Sequence, residues 1–196
     1  MWVISFAAAT VLFQDDFQRS DGPLGSNWTS PVASQPELLI AGNAACGSNQ
    51  SVALSHFAPP AGVGIRMLMT FTPSSLEGQE TYFALVQNPP VLINTVIIGC
   101  DGGFQQTCTP TIKLLSNESS AVRGLPLTAA PGQAYVLDAQ VVWPEITLRV
   151  LPPSPTSLPV VIQASFPSVS APAILGMVVG RNAPPTCVSD FMVLSA

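Results

Sequence analysis

Eleven acidic residues, one histidine and four cysteines are the side chains of this 196-residue chain with most to offer chemically. Hydrolysis of a glycosidic bond needs two neighbouring carboxyl groups, one to donate a proton and one to attack or to stabilise the developing sugar cation. The acids here are isolated. Glu77 and Glu80 fall at a predicted loop and strand start, Glu145 falls in a turn, and Glu37, Glu118 and Asp138 have no carboxylate neighbour at strand spacing. His56, the sole histidine, stands before Phe57 and a proline pair. No Gly-x-Ser-x-Gly turn exists to present a serine nucleophile to it, so it reads as a surface or hydrogen-bonding residue. These patterns predict a protein that is not an enzyme.

The cysteines contain no Cys-x-x-Cys pair, which argues against a zinc site. Cys100 closes one predicted strand and Cys108 opens the next across the loop 101–107, a placement suited to a hairpin disulfide. Cys46 and Cys187 lie in long irregular connections and would then pair by elimination; the alternative is four reduced thiols acting as small core residues. Asp15, Asp16 and Asp190 would meet if the first and last strands pair, and carboxylate and backbone oxygens there could hold calcium. The alternative is that strand-end aspartates cap turns. No other metal and no cofactor is expected. A glycan site needs aromatic rings for sugar faces and amides for hydroxyls; Trp143 and Tyr82 are the candidates, against a plain packing role for both.

The elements that would position these residues are strands. No stretch reads as an amphipathic helix, whereas short runs rich in Val, Ile, Leu, Thr and Phe recur between Pro, Gly, Ser and Asn clusters. Strands are predicted at 11–17, 37–40, 51–54, 63–72, 81–87, 91–100, 111–116, 134–142, 146–151, 160–165, 174–180 and 190–194. So many short strands predict an all-β, two-sheet antiparallel β-sandwich. In Ile65 to Thr72 the odd positions are apolar and the even ones mostly polar, the signature of one core face and one wet face. Trp143-Pro144-Glu145 forms a tight connection that makes 134–151 a hairpin. The twenty prolines sit overwhelmingly in the gaps, where their missing N–H costs no ladder bond.

Bulk properties narrow the function. Only 9% of residues are charged and the net charge is -5. The six basic residues, scattered singly, offer no stripe for phosphates, so nucleic acid is not an expected partner. No apolar run of about 18 residues predicts a membrane span, and the acidity argues against an anionic membrane surface. A surface so poor in charge is expected to be coated by Ser, Thr, Asn, Gln and Pro, or buried by neighbouring copies. Runs that are apolar on both parities, such as 91–98 and 174–179, favour neighbouring subunits over a covering loop. Residues 1–196 are read as a single domain, with 1–10 as an opening strand or arm that lacks the positive leader of a signal peptide.

Two segments carry a family resemblance. Asp16-Phe17-Gln18-Arg19-Ser20-Asp21-Gly22-Pro23-Leu24-Gly25-Ser26-Asn27-Trp28 resembles the opening of concanavalin A-like, laminin G-like jelly rolls of bacterial surface proteins and phage minor tail proteins. Gly176-Met177-Val178-Val179-Gly180-Arg181-Asn182 followed by Ser189-Asp190-Phe191-Met192-Val193-Leu194 is similar to that family's last two strands. The resemblance implies a closing strand beside the opening one, with Trp28 returning as a core anchor. It also implies a virion or surface structural protein, of phage-tail or capsid-decoration type, that binds host-surface glycans. Its partners would be other virion or surface subunits, including copies of itself, and its place the virion or extracellular surface. The alternative is a secreted carbohydrate-binding module or lectin.

Overall fold

The computed structural model describes residues 9–31, 37–47, 51–72, 81–89, 92, 94–102, 107–115, 117–128, 132–154, 157–179 and 186–196, with the backbone alone at 117–119. Most of the predicted opening arm, 1–8, lies outside these residues, as do Val91 and Ile93.

The described residues form seventeen strands and no helix. They run β1 Val11–Asp15, β2 Gly22–Pro23, β3 Trp28–Thr29, β4 Leu39–Ile40, β5 Ala45–Gly47, β6 Ser51–Ser55, β7 Ile65–Thr72, β8 Thr81–Val86 and β9 Val96–Gly102. After these come β10 Thr107–Leu114, β11 Asn117–Arg123, β12 Leu127–Thr128, β13 Tyr135–Val142, β14 Glu145–Leu151, β15 Val160–Ser165, β16 Ile174–Val179 and β17 Thr186–Ser195. A nine-stranded sheet has the order β15-β14-β13-β7-β17-β5-β4-β2, with β1 also on β17. An eight-stranded sheet has the order β11-β10-β9-β8-β16-β6-β3, with β12 on β10. Both are antiparallel, and they pack as the expected sandwich around one large apolar cluster that includes Phe83, Ile98, Leu137, Leu148, Met177 and Phe191.

The opening and closing strands pair as the resemblance implies, with Val11 opposite Leu194 and Asp15 opposite Phe191. The opening strand stops at Asp15 rather than Phe17, because Phe17 takes a left-handed backbone (φ 55°) that ends the ladder while its ring enters the core. Alternation along β7 is complete: every odd position is buried and every even one half-buried.

Cys46 and Cys187 lie on strands rather than in irregular connections. They face each other in the β5–β17 ladder and are joined by a disulfide, with Cα atoms 4.1 Å apart. The closing strand begins at Thr186, but the register shifts between Val188 and Asp190. That bulge breaks the period of two, so sequence patterning finds the strand only from Asp190 onward. Cys100 and Cys108 are bonded across the β9–β10 hairpin as expected, with Cα atoms 5.1 Å apart. Here β10 starts at Thr107 and runs through Pro110, against the rule that prolines mark gaps. On its other side Pro110 falls between the stretches paired with β12 and with β11, an interruption in the ladder.

The strands β6 and β8 of the eight-stranded sheet are buried on both faces. All of Ser51–Ser55 and Thr81–Val86 is buried. Val52, Leu54, Ala84 and Val86 form a second cluster on the outer face, onto which Leu92, Ile174 and Val178 pack. Among the described residues, 95–98 and four of the six residues of 174–179 are buried within one chain, so their burial by itself does not call for neighbouring subunits.

Candidate functional site

The two aromatic candidates have opposite fates. Tyr82 is 1% exposed, in the interior of the eight-stranded sheet between Val178 on β16 and Gly99 on β9. Its ring lies 5.9 Å from the Lys113 Nζ. It points to the outer face, as the alternation of β8 requires, but that face is not open to solvent. Tyr82 is thus packed in the interior, with almost no surface to offer a ligand.

Trp143 is half-buried and lines a cleft. It occupies the turn of the β13–β14 hairpin, where the Trp143–Pro144 bond is cis and Val142 faces Glu145. The indole Nε1–H donates to the Val169 carbonyl at 3.2 Å, and the Phe166 amide donates to the Pro144 carbonyl at 3.2 Å. These two bonds tie the connection after β15 to the hairpin turn and fix the ring. The opposite wall is the stretch 59–64, turned by a Val63 amide to Pro60 carbonyl bond and a left-handed Gly62 (φ 71°). The cleft has a volume of about 320 Å³, and Pro59, Pro60, Val63, Val142, Trp143 and Pro172 are among its lining residues. With its N–H already satisfied, the indole offers the cleft an apolar ring surface, which suits the C–H face of a sugar ring. A second depression of about 280 Å³ lies between Pro23 and Ala53, with Thr29 and Glu37 in its lining. Trp28 reaches it with little more than an edge, being 6% exposed.

Of the three aspartates proposed to meet, Asp15 is already engaged, and among the described residues no group of three His, Cys, Asp or Glu is placed to hold a metal ion. Asp15 is buried and accepts from both terminal nitrogens of Arg19 at 2.7 and 2.9 Å, from the Trp28 Nε1–H at 2.7 Å and from the Phe17 amide at 2.9 Å. Burial alone would raise its carboxyl pKa, but the bonds from Arg19, Trp28 and Phe17 outweigh burial and hold it below the usual aspartate value. Asp16 is exposed and accepts from the Gln18 amide at 3.1 Å, a turn-capping bond. Asp190 is exposed at the bulge end of β17, next to Phe191, the partner of Asp15. His56 is exposed, and its backbone amide donates to the Asn27 carbonyl. Glu77 and Glu80 lie outside the described residues.

The register also assembles a group that the sequence reading passed over. On the outer face of the nine-stranded sheet, Asp138 of β13 receives Arg66 Nε at 2.8 Å and Nη2 at 3.0 Å, and Arg149 Nη1 lies 3.6 Å away. The Asp138 carboxylate raises the pKa of Arg66, keeping it charged. In sequence, Asp138 looks isolated and the arginines scattered. A hairpin turning between Val142 and Glu145 nevertheless places residue 138 opposite residue 149, and this is the observed register. The signal was available once the turn was located.

No protein-family model matches the sequence, and no curated protein matches it. Solved structures do. The carbohydrate-binding module CBM66 from Bacillus subtilis shares 12% identity with a TM-score of 0.60, over 87% of this chain and 96% of that one. The CBM2 module of the evolved Dit protein of Lactobacillus casei BL23 phage J-1 shares 8% identity with a TM-score of 0.60, over 95% and 96%. SCLam, a non-specific endo-β-1,3(4)-glucanase of family GH16, shares 10% identity with a TM-score of 0.61, over 95% and 91%. At these identities the likeness shows the fold, a β-sandwich jelly roll consistent with the concanavalin A-like architecture.

Proposed function

We propose that this chain is a non-enzymatic glycan-binding module of an extracellular or virion surface, and that the Trp143 cleft is where a sugar ring sits. The observation that carries this reading is the fixed indole: its N–H is bonded to Val169 and its ring lines an accessible cleft of about 320 Å³. A platform immobilised before binding loses little side-chain entropy when a ligand lands on it. Two carbohydrate-binding modules among the structural neighbours support the reading. Two disulfides support an oxidising, external location. The phage Dit module favours a virion as that surface, and a structural role in a particle is compatible with glycan binding because the cleft occupies one end of the sandwich.

A glycan array followed by calorimetry tests this. The wild-type protein is expected to bind at least one glycan class, and Trp143→Ala to weaken that binding at least about tenfold, as for an aromatic anchor. Trp143→Phe, which keeps a ring but not the bond to Val169, is expected to fall between. Absence of any bound glycan, or full affinity in Trp143→Ala, overturns the reading. Release of new reducing ends from a bound oligosaccharide overturns the non-enzymatic part.

A further inference from the structure

The outer face of the nine-stranded sheet begins at the mouth of the Trp143 cleft. Val142 lines the cleft and is exposed on that face. Two residues along β13 stands Gln140, in one cross-strand row with Arg66, Thr147 and Gln163. The next row holds Asp138 and Arg149 side by side. At about 3.3 Å per residue, the two rows lie roughly 7 and 13 Å from Val142, about the reach of two to three linked sugar rings.

At Asp138 itself the charges do not cancel, although Glu145 in the row of Val142 and Asp190 opposite Thr70 are exposed acids elsewhere on the same face. Asp138 is 4% exposed at its side chain, while the guanidinium side chains of Arg66 and Arg149 are 43% and 45% exposed. Arg66 alone already satisfies the carboxylate in a two-point geometry. Arg149 is a surplus cation: it makes no hydrogen bond among the described residues, and Arg66 Nη1 is also left over. Two of the six basic residues of an acidic chain thus converge on one carboxylate. A guanidinium with unused donors recognises planar oxyanions, carboxylate or sulfate, better than it recognises hydroxyls. Gln140, Thr147 and Gln163 flank it with amides and a hydroxyl suited to sugar hydroxyls, the last two bonded to each other at 3.3 Å.

We propose that this patch extends the Trp143 site and selects acidic glycans, saccharides carrying a carboxylate or a sulfate, with the anion held by Arg149 and Arg66. The proposal rests on the glycan-binding reading of the cleft. Asp138 is a positioning residue that holds Arg66 flat on the sheet. A short acidic saccharide would lay one ring on Trp143 and place its anion over the arginine pair.

The test uses the full chain and matched ligands: oligogalacturonate beside its methyl ester, sialyllactose beside lactose, and sulfated galactan beside the desulfated polymer. At least one acidic member is expected to bind about tenfold or more tightly than its neutral partner, with a preference that shrinks as salt is raised. Whichever pair shows it identifies the anion as carboxylate or sulfate. Arg149→Gln is expected to reduce the preference at least about fivefold while the chain still folds, since the Arg66–Asp138 pair stays intact. Equal affinity within every pair overturns the proposal and leaves the cleft reading standing. Failure of every ligand, neutral and acidic, overturns both. Light scattering that shows Arg149→Gln dissociating an oligomer, with no change in glycan preference, assigns the patch to contact between copies and overturns the proposal too.

Discussion

Asp15 and Asp138 are both buried carboxylates held by an arginine in a two-point geometry, and they sit in opposite kinds of surroundings. Around Asp15 the bonds are more numerous, although Arg19 Nε has no partner and the Arg19 side chain, 36% exposed, also reaches solvent. Arg19 spends both terminal nitrogens on it and donates a further bond to the Leu24 carbonyl, its guanidinium lies over the Phe17 ring, and the Trp28 indole closes the group from the core side. Around Asp138 the partners outnumber the need, and both guanidiniums reach solvent. The first group locks the chain's opening turn onto the sandwich. The second leaves donors facing outward on a flat sheet. Identical residue types thus give a structural lock where an indole and the core seal them, and a recognition surface where a sheet face leaves them open.

The largest expected effect breaks the lock from its apolar side. Trp28 is 6% exposed and has edge-on contacts with Phe13 and Phe191, at ring-centroid distances of 5.7 and 5.2 Å. Trp28→Ala is expected to destabilise the fold by about 3–5 kcal/mol in urea denaturation. A near-neutral result would mean that the junction is not part of the cooperative core.

A smaller loss is expected from Asp15→Asn, about 2–3 kcal/mol, because the Arg19 charge loses its counter-ion in a partly buried place while keeping some access to water. The pH dependence has a definite sign. A carboxyl held below its unfolded value contributes fully above about pH 4 and loses that contribution as pH falls through the folded value. Wild-type stability should therefore fall more steeply on the acid side than that of Asp15→Asn. Parallel acid limbs would show that the ion pair contributes nothing to folding.

How much of this contrast was legible in the sequence follows from distance along the chain. Asp15, Arg19 and Trp28 lie within one short segment, so the turn and the anchoring tryptophan could be read, though not the ion pair that joins them. The sandwich, the β13–β14 hairpin and the Cys100–Cys108 bridge could be read for the same reason, since period and turn chemistry are local. Arg66 and Asp138 are 72 residues apart, and their meeting depends on β7 lying beside β13, which no local pattern states. The burial of Tyr82 was not legible for a related reason. Alternation assigns a side chain to a face, but whether that face is wet depends on what the rest of the chain lays over it. The start of β17 was hidden by a bulge, a one-residue slip that inverts the apparent pattern.

The smallest expected effect tests the open member of the pair. Asp138→Asn removes the carboxylate that holds Arg66 and Arg149, so a simple count of lost contacts would rank it with Asp15→Asn. The other partners argue otherwise: Asp15 also holds the Trp28 indole and the Phe17 amide, whereas Asp138 holds arginines alone. Arg66 and Arg149, nearly half exposed, can turn their guanidiniums to water once released, and the amide that replaces the carboxylate can still accept one hydrogen bond. Ion pairs that reach solvent contribute about 0–1 kcal/mol, and the loss should fall in that range in urea denaturation. Function should move further than stability. With the carboxylate gone the two positive charges are no longer offset, so the salt dependence of any acidic-glycan binding should steepen, while the loosened Arg66 should blur discrimination between matched acidic ligands. A loss of stability as large as that of Asp15→Asn would place both aspartates in one class and remove the distinction between lock and recognition surface.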